Sequence, residues 1–185
     1  DVYKRQLLIT RGVPGTHDIV SLKNDIINFQ KNNFPITTPR FNKLKDDISS
    51  KKKIIKNAEI LLLEGWCCGS PSINKKYLFQ NINRLETIFD KNKKWRQYYN
   101  SQLMKDYKKV FSLFDQQIYI QPPSFSYILK WRYNQEKNNA LKSRNKDFMN
   151  KKDLQKFIQH YEKLTKWMMK TCLLYTSPSP RDWLQ

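Results

Sequence analysis

Apolar residues recur along this chain at two periods, and the two alternate. "HDIVSLKNDIINFQKNN" sets Ile19, Leu22, Ile26, Ile27 and Phe29 at helical spacing, with Asp18 or Thr16 placed to cap its start. "FPITTPRF" is extended, because two prolines forbid helix there. "AEILLLEG" is a short apolar run closed by a charge and a glycine, the pattern of a buried parallel strand. "INRLETIFDKNKKWRQYYNSQLMKDYKKVFSLF" reads as one long helix or two consecutive ones, and "QIYIQPPS" as a strand with a proline stop. "FSYILKWRYNQEKNNAL" and "DLQKFIQHYEKLTKWMM" read as amphipathic helices, the second with Leu154, Phe157, Ile158, Tyr161, Leu164 and Trp167 on one face. Strands alternating with helices predict an α/β fold with an open, mostly parallel sheet.

Composition sharpens this picture at one residue type. Glycine occurs four times, at Gly12, Gly15, Gly65 and Gly69, all in the two stretches "RGVPGTHD" and "LLLEGWCCGS". Glycine is required where the backbone takes positive φ or approaches another group closely. In parallel sheets ligands bind at the carboxyl ends of strands, where "LLLEGW" delivers Glu64 with Gly65 to turn the chain. A carboxylate there suits Mg²⁺ or water positioning in phosphoryl transfer, and equally an ordinary strand end. "RGVPGTHD" sets a cation, a histidine and backbone N–H groups before a helix N-terminus, which favours an anion. The same residues also describe a tight turn and helix cap with His17 hydrogen-bonded.

The net charge of +19 admits nucleic acid, an anionic membrane or phosphorylated small molecules as partners. Abundant Lys, Asn and Ile with scarce Gly and Ala also fit an AT-rich gene, and the basic residues are scattered rather than gathered in one block. No stretch reaches the roughly 18 apolar residues of a membrane span. Cys67 and Cys68 are adjacent and have no second pair for zinc, so they read as small packing residues of a cytoplasmic protein. Trp95, Trp131 and Trp167 read as packing residues, His160 as ordinary surface or core, and Lys51–Lys53 as a solvated loop.

The two ends stand apart from the rest. A coding of "DVYKRQ" as GAT GTG TAT AAG AGA CAG, read on the opposite strand and shifted by one base, gives Cys-Leu-Leu-Tyr-Thr-Ser, the residues Cys172 to Ser177. Both ends resemble the mosaic end of a transposon-based sequencing adapter. Residues 1–6 and 172–185 are therefore expected to be adapter-derived, with residues 7–171 an internal piece of a longer gene.

"RGVPGTHD", "PRFNKLKDD", "LLLEGWCCG", "NRLE", "WRQYYN", "PPSFSYILKWRYNQE" and "FIQHYEKLT" follow one another in this order. Together they resemble the D-glycerate 3-kinase-like branch of the P-loop kinases, relatives of phosphoribulokinase, uridine kinase and pantothenate kinase. The resemblance runs from about Arg11 to Met169. It implies a doubly wound P-loop NTPase-like fold, with ATP and Mg²⁺ as cofactors. It also implies transfer of the γ-phosphoryl of ATP to a hydroxyl of D-glycerate or a similar small hydroxy acid.

By the same resemblance, "RGVPGTHD" forms the acceptor loop: Arg11 holds the acidic substrate, Gly12, Gly15 and Thr16 line it, and His17 and Asp18 orient it. An Arg fork suits a carboxylate because it makes two parallel hydrogen bonds. "PRFNKLKDD" matches a pattern written F-D-K-S-x-x-D at Lys43, Asp46 and Asp47. Asn42 and Leu44 stand where that pattern has Asp and Ser, and no role carries over to them. Glu64, Gly65 and Trp66 become the Walker-B-like edge near magnesium, with Glu64 and Asp18 the catalytic carboxylates. "WRYNQE" becomes a lid helix with Arg132 toward the ATP phosphates and Gln135 and Glu136 beside it.

The run G-x-x-x-x-G-K-S/T, whose backbone cradles the phosphates of ATP, does not occur in these residues. In the family it precedes the acceptor loop, as does an acidic strand end that supplies the base. The expectation is an incomplete sheet, so that the chain as written is inactive and poorly folded while the whole gene encodes a kinase. Two other classes stay open: a basic nucleic-acid-binding module, suggested by Trp95, Tyr98 and Tyr99 beside Lys93, Lys94 and Arg96, and a non-catalytic P-loop relative.

Overall fold

The computed structural model describes residues 6–42, 47–143 and 149–171. In chain order it contains helix α1 (Ile19–Gln30), strands β1 (Ile36–Asn42) and β2 (Asp47–Ile55), and the short helices α2 (Lys75–Phe79) and α3 (Arg84–Ile88). Then come α4 (Lys94–Gln102), a π-helical turn (Leu103–Tyr107), α5 (Lys108–Phe111), α6 (Phe125–Ser143) and α7 (Lys151–Thr171). The adapter-like residues 1–5 and 172–185, and the predicted site residues Lys43 and Asp46, lie outside the described residues.

Helix α1 begins where its residues say it should. Of the two expected caps Asp18 is the one used, its Oδ1 accepting from the Ser21 backbone N–H at 3.1 Å. Ile19 and Ile26 point inward.

The core is organised by the run from α4 to α5. Trp95, Tyr99, Leu103 and Tyr107 recur every four residues, and all four are at most 2% exposed. A straight α-helix turns through about 400° in four residues, so each step would rotate the next side chain some 40° off the face. The π-helical turn absorbs that drift: the Lys108 N–H reaches back five residues to the Leu103 carbonyl. Tyr107 thereby stays on the face that began with Trp95. Against this face pack Val13, Ile26, Cys67, Leu164 and Met168.

Helix α7 closes the core as its pattern predicts, burying Leu154, Ile158, Leu164 and Met168. Trp167 stacks on Tyr77 at 5.6 Å and donates Nε1–H to the Ser72 carbonyl at 3.1 Å. His160 faces inward, edge-on to Trp95 at 5.9 Å, with Nδ1 2.9 Å from the Phe157 carbonyl and Nε2 3.3 Å from Thr10 Oγ1. Cys67 is buried, which pushes its thiol up to about 12, and both Cys67 and Cys68 are free thiols.

A fully buried arginine ties α2, α3 and α4 together. Arg96 Nε donates to Asp90 Oδ2 at 2.7 Å and Nη1 to Asn81 Oδ1 at 2.8 Å, while Nη2 donates to the Glu86 and Asp90 carbonyls at 3.1 and 3.3 Å. Asp90 also accepts from the backbone N–H groups of Trp95 and Arg96, so it caps α4, whose own first flanking residue, Lys93, makes no side-chain cap. Glu86 Oε2 accepts from Ile82 N–H at 3.0 Å and lies 3.5 Å from Arg96 Nη1 and 3.3 Å from Lys163 Nζ. Lys163, reaching across from α7, donates to the Tyr77 and Gln80 carbonyls. Two carboxylates and two cations thus balance inside the protein. Burial raises the Glu86 pKa and lowers that of Lys163, against the pull of each on the other. "NRLE", "WRQYYN" and "FIQHYEKLT" meet at this cluster.

Several expectations are corrected. The sheet of the described residues is a two-stranded antiparallel hairpin, Ile36 pairing with Ile55 and Asn42 with Asp47, with a register shift between Pro39 and Arg40. Lys51–Lys53 therefore belong to a strand rather than a loop. "AEILLLEG" and "QIYIQPPS" form no strand: Ile60 and Leu62 are 83% and 85% exposed, Ile118 and Ile120 both 86%. An apolar segment becomes a parallel strand only between neighbours that bond its backbone and cover its faces, and the described residues offer none. Of the two readings of residues 82–114, one long helix or two consecutive ones, the structure takes the second, with the break between α3 and α4. Helix α6 forms, but its apolar residues do not gather on one face, and Trp131, expected to pack, is 51% exposed beside Tyr127. No helix of the described residues is long and apolar enough to cross a membrane.

Replacing Arg96 by Ala strands Asp90 as a buried charge without its cation and leaves Glu86 with Lys163 alone, and the expected loss is about 3–5 kcal/mol. Urea denaturation of the chain and of Arg96→Ala measures it; a loss below about 1 kcal/mol would mean that the cluster does not hold these helices. Burial also holds the His160 pKa below its ordinary value. The unfolded chain then takes up the proton first, so this contribution is whole above the unfolded pKa of about 6.5 and is lost as pH falls toward the folded one. His17 shifts in the same direction. Unfolding free energy should fall between about pH 7.5 and 5.5, and His160→Gln should flatten that slope.

Candidate functional site

The residues of "RGVPGTHD" build a loop whose conformation is set almost wholly by its own side chains and three tyrosines. Val13 is 1% exposed and, with Pro14, plugs the loop into the core. Thr16 staples it: its Oγ1 accepts from Gly12 N–H at 2.9 Å and donates to the Val13 carbonyl at 2.8 Å, and Thr16 N–H returns to the same carbonyl at 3.1 Å. This closure needs φ of +95° at Gly12 and +97° at Gly15, which side chains disfavour. At Gly15 a Cβ would also lie 2.7 Å from Tyr98 Cε1, so glycine is required twice over.

Two tyrosine hydroxyls fix the loop from outside. Tyr161 of α7 donates to the Arg11 carbonyl at 2.6 Å. Tyr107 of the π-helical turn accepts from Gly15 N–H at 2.9 Å and lies 2.6 Å from His17 Nδ1. Burial pushes Tyr107 up to about 12, so it remains a phenol. Desolvation by the surrounding loop lowers the His17 pKa, although much of the residue is exposed.

Around this loop the structure gathers part of the predicted set. The Arg11 guanidinium lies over the Phe41 ring at 4.2 Å. Trp66 stands edge-on to Tyr161 at 4.8 Å and donates Nε1–H to Thr165 Oγ1 at 2.8 Å. Burial raises the Tyr161 pKa, while the charges of Arg132 and Arg11 both pull it down. Arg132 is steadied along its own helix by Gln135 Oε1 and Glu136 Oε1, each at 2.6 Å.

Other predicted residues stand elsewhere or do something else. Asp18 is the cap of α1; its hydrogen bonds to Ser21 hold its carboxyl below the usual range. Asp47 opens β2, exposed, and accepts from the Ile48 N–H at 2.7 Å. Glu64 is exposed at the end of the unpaired segment, and Gly65 opens the turn closed by the Cys68 N–H to its carbonyl at 3.2 Å. The sequence reading missed Tyr107 as a site residue and took Tyr161 only as a core-facing position. The four-residue series from Trp95 to Tyr107 was the available signal for the first.

These residues do not compose a phosphate cradle. The N–H groups of Gly12, Gly15 and Thr16 already donate within the protein, so the loop cannot offer them to an anion as its position before a helix suggested. Glu64 is the one carboxylate predicted for magnesium, and the described residues contain no group of three or more His, Cys, Asp and Glu placed to hold a metal. An anion beside this loop would be met by a side chain, that of the exposed Arg11, rather than by backbone N–H groups.

No family model matches the chain. In sequence it is similar to the uncharacterized kinase mug58 of Schizosaccharomyces pombe, 26% identical over 165 residues that make up 82% of this chain and 56% of that protein. In structure it is similar to D-glycerate 3-kinase from Cryptococcus neoformans var. grubii, with a TM-score of 0.69 and 22% identity over 87% of this chain and 59% of that one. The chain thus spans a little over half the length of each. The chain thus shares its fold with the one and part of its sequence with the other.

Proposed function

We propose that this chain is the acceptor-binding and lid portion of an ATP-dependent small-molecule kinase, one that phosphorylates a hydroxyl of D-glycerate or a similar hydroxy acid. The observation that carries the reading is the loop of residues 11–18, locked by Thr16, Tyr107 and Tyr161, with the Arg11 guanidinium beside it over the Phe41 ring. A small acid must be held by its charge, and the Arg11 guanidinium has the planar fork that suits a carboxylate. The rigid loop adds orientation, which in phosphoryl transfer is a large part of catalysis. The names of the two similar proteins support kinase chemistry, and the structural one supports glycerate as acceptor.

The nucleotide would enter from residues outside this sequence. The exposed apolar segments at 58–64 and 117–121 are, in this reading, strands of a doubly wound parallel sheet whose central P-loop strand lies upstream. ATP and Mg²⁺ would bind there, with Glu64 at the sheet edge nearest the metal. No step through ATP is assigned to the residues in hand.

Coding DNA upstream of the Leu7 codon should contain a strand followed by G-x-x-x-x-G-K-S/T and an acidic strand end. The complete product should release ADP in a glycerate-dependent manner. Arg11→Ala should then raise KM for the acid about 10- to 100-fold, the equivalent of one charge-assisted hydrogen-bonded contact, with a smaller effect on KM for ATP. An intact upstream frame without the lysine and acidic pair, or an intact P-loop with no transfer to any small hydroxy acid, overturns the reading.

A further inference from the structure

The Gly15 N–H and His17 Nδ1 both lie within hydrogen-bond distance of the Tyr107 hydroxyl, and counting protons among these groups fixes the tautomer of the ring. A phenol carries one proton and can accept two. The Gly15 N–H, 2.9 Å away, can only donate to it. If His17 Nδ1, at 2.6 Å, also carried a proton, the oxygen would accept twice and its own proton would have no partner in a site where Tyr107 is 2% exposed. Leaving a buried donor unpaired costs about 1–3 kcal/mol. With Nδ1 as acceptor, every group is satisfied. The ring proton then sits on Nε2, on the far side of the imidazole from Tyr107.

His160 provides the opposite case in the same chain. Its Nδ1 faces the Phe157 carbonyl at 2.9 Å, which can only accept, so there the proton sits on Nδ1 and Nε2 takes the Thr10 hydroxyl at 3.3 Å.

We propose that Tyr107 is the positioning residue of the acceptor loop, holding His17 as the Nε2–H tautomer so that it donates a hydrogen bond to an oxygen of the bound hydroxy acid. This rests on the reading of the loop as the acceptor site. His17 is then an orienting donor, complementary to the charge of Arg11, and not the base: with its proton on Nε2, its outward nitrogen has no lone pair to take the proton of the acceptor hydroxyl. The lowered pKa of His17 agrees, since a neutral ring is what the tautomer requires. Tyr107 acts through His17 and touches no substrate. Its single hydroxyl also ties His17 to Gly15, so the donor and the loop backbone move as one piece.

The sequence contains two histidines, so a long-range ¹H–¹⁵N spectrum of the histidine-labelled 185-residue chain at neutral pH reads both at once. The expected result is two opposite patterns, Nδ1–H for His160 and Nε2–H for His17. An Nδ1–H pattern for His17 overturns the proposal, and needs no variant. In Tyr107→Phe the His17 pattern should move toward a tautomer mixture while His160 stays as it was. An unchanged His17 in that variant also overturns it. In the complete gene product, adding D-glycerate should shift the His17 Nε2 resonance. A correct tautomer without that shift overturns the acceptor reading and leaves the Tyr107–His17 coupling standing, so the two failures are separate. In the complete gene product, Tyr107→Phe should raise KM for the acid roughly tenfold with a smaller change in kcat, the scale of one net hydrogen bond.

Discussion

Everything in this fold leans on one buried cation. Arg96 is enclosed by α2, α3 and α4, and its five N–H donors are met by the Asp90 carboxylate, the Asn81 side chain and backbone carbonyls at Leu78, Glu86 and Asp90. Short helices of five residues such as α2 and α3 have no stability of their own, because nucleation costs more than one turn returns. They persist because their C-terminal carbonyls are bound by Arg96 and Lys163 and their first turns by Asn74 and Asn83. A hydrophobic cluster of the same size could fill this volume, but could not satisfy so many carbonyls. The same arginine stands one residue after Trp95, so the frame that fixes α2 and α3 also fixes the direction of the aromatic face.

From that face the order passes to the loop of residues 11–18. Trp95, Tyr99 and Leu103 set a line, the π-helical turn keeps Tyr107 on it, and the Tyr107 hydroxyl meets Gly15 and His17. On the other side α7 brings Lys163 to the ion cluster and Tyr161 to Arg11, two residues apart in sequence and on two different tasks. The loop is rigid because two helices anchored to one core each lend it a phenol. Rigid elements with short polar reach are the usual way to hold a substrate-orienting group in place.

The parts of this that could be read from sequence are those in which local periodicity and tertiary demand agree. Helices α1 and α7 were legible because their apolar stripes face the core they form with; Asp18 was legible as a cap because capping is a contact three residues long. The hairpin was not: "DISSKKKII" has no alternation, since both faces of β2 are largely exposed and its stability comes from pairing with β1 alone. The segments at 58–64 and 117–121 failed in the reverse way, carrying strand composition without a ladder among the described residues. Of the site, Arg11, Gly12, Gly15, Thr16 and His17 were legible as one loop, since they are contiguous. Tyr107 lies 90 residues away from His17, and only the π-helical turn makes them neighbours.

The glycines carry the last step. Two glycines in a loop before a helix suggest a backbone that opens its N–H groups to a phosphate, and here they serve the opposite purpose. Positive φ at Gly12 and Gly15 folds the loop inward, and its N–H groups are taken by Thr16 and Tyr107. A loop spent in this way can recognise charge only through side chains that leave it, namely the exposed Arg11 and His17. Backbone cradles grip phosphates of any parent molecule, whereas a guanidinium and a single oriented N–H select by where a carboxylate and a hydroxyl sit relative to each other. In the proposed function the closed loop would choose the acceptor, and the same closure would leave the binding of a nucleotide to other residues.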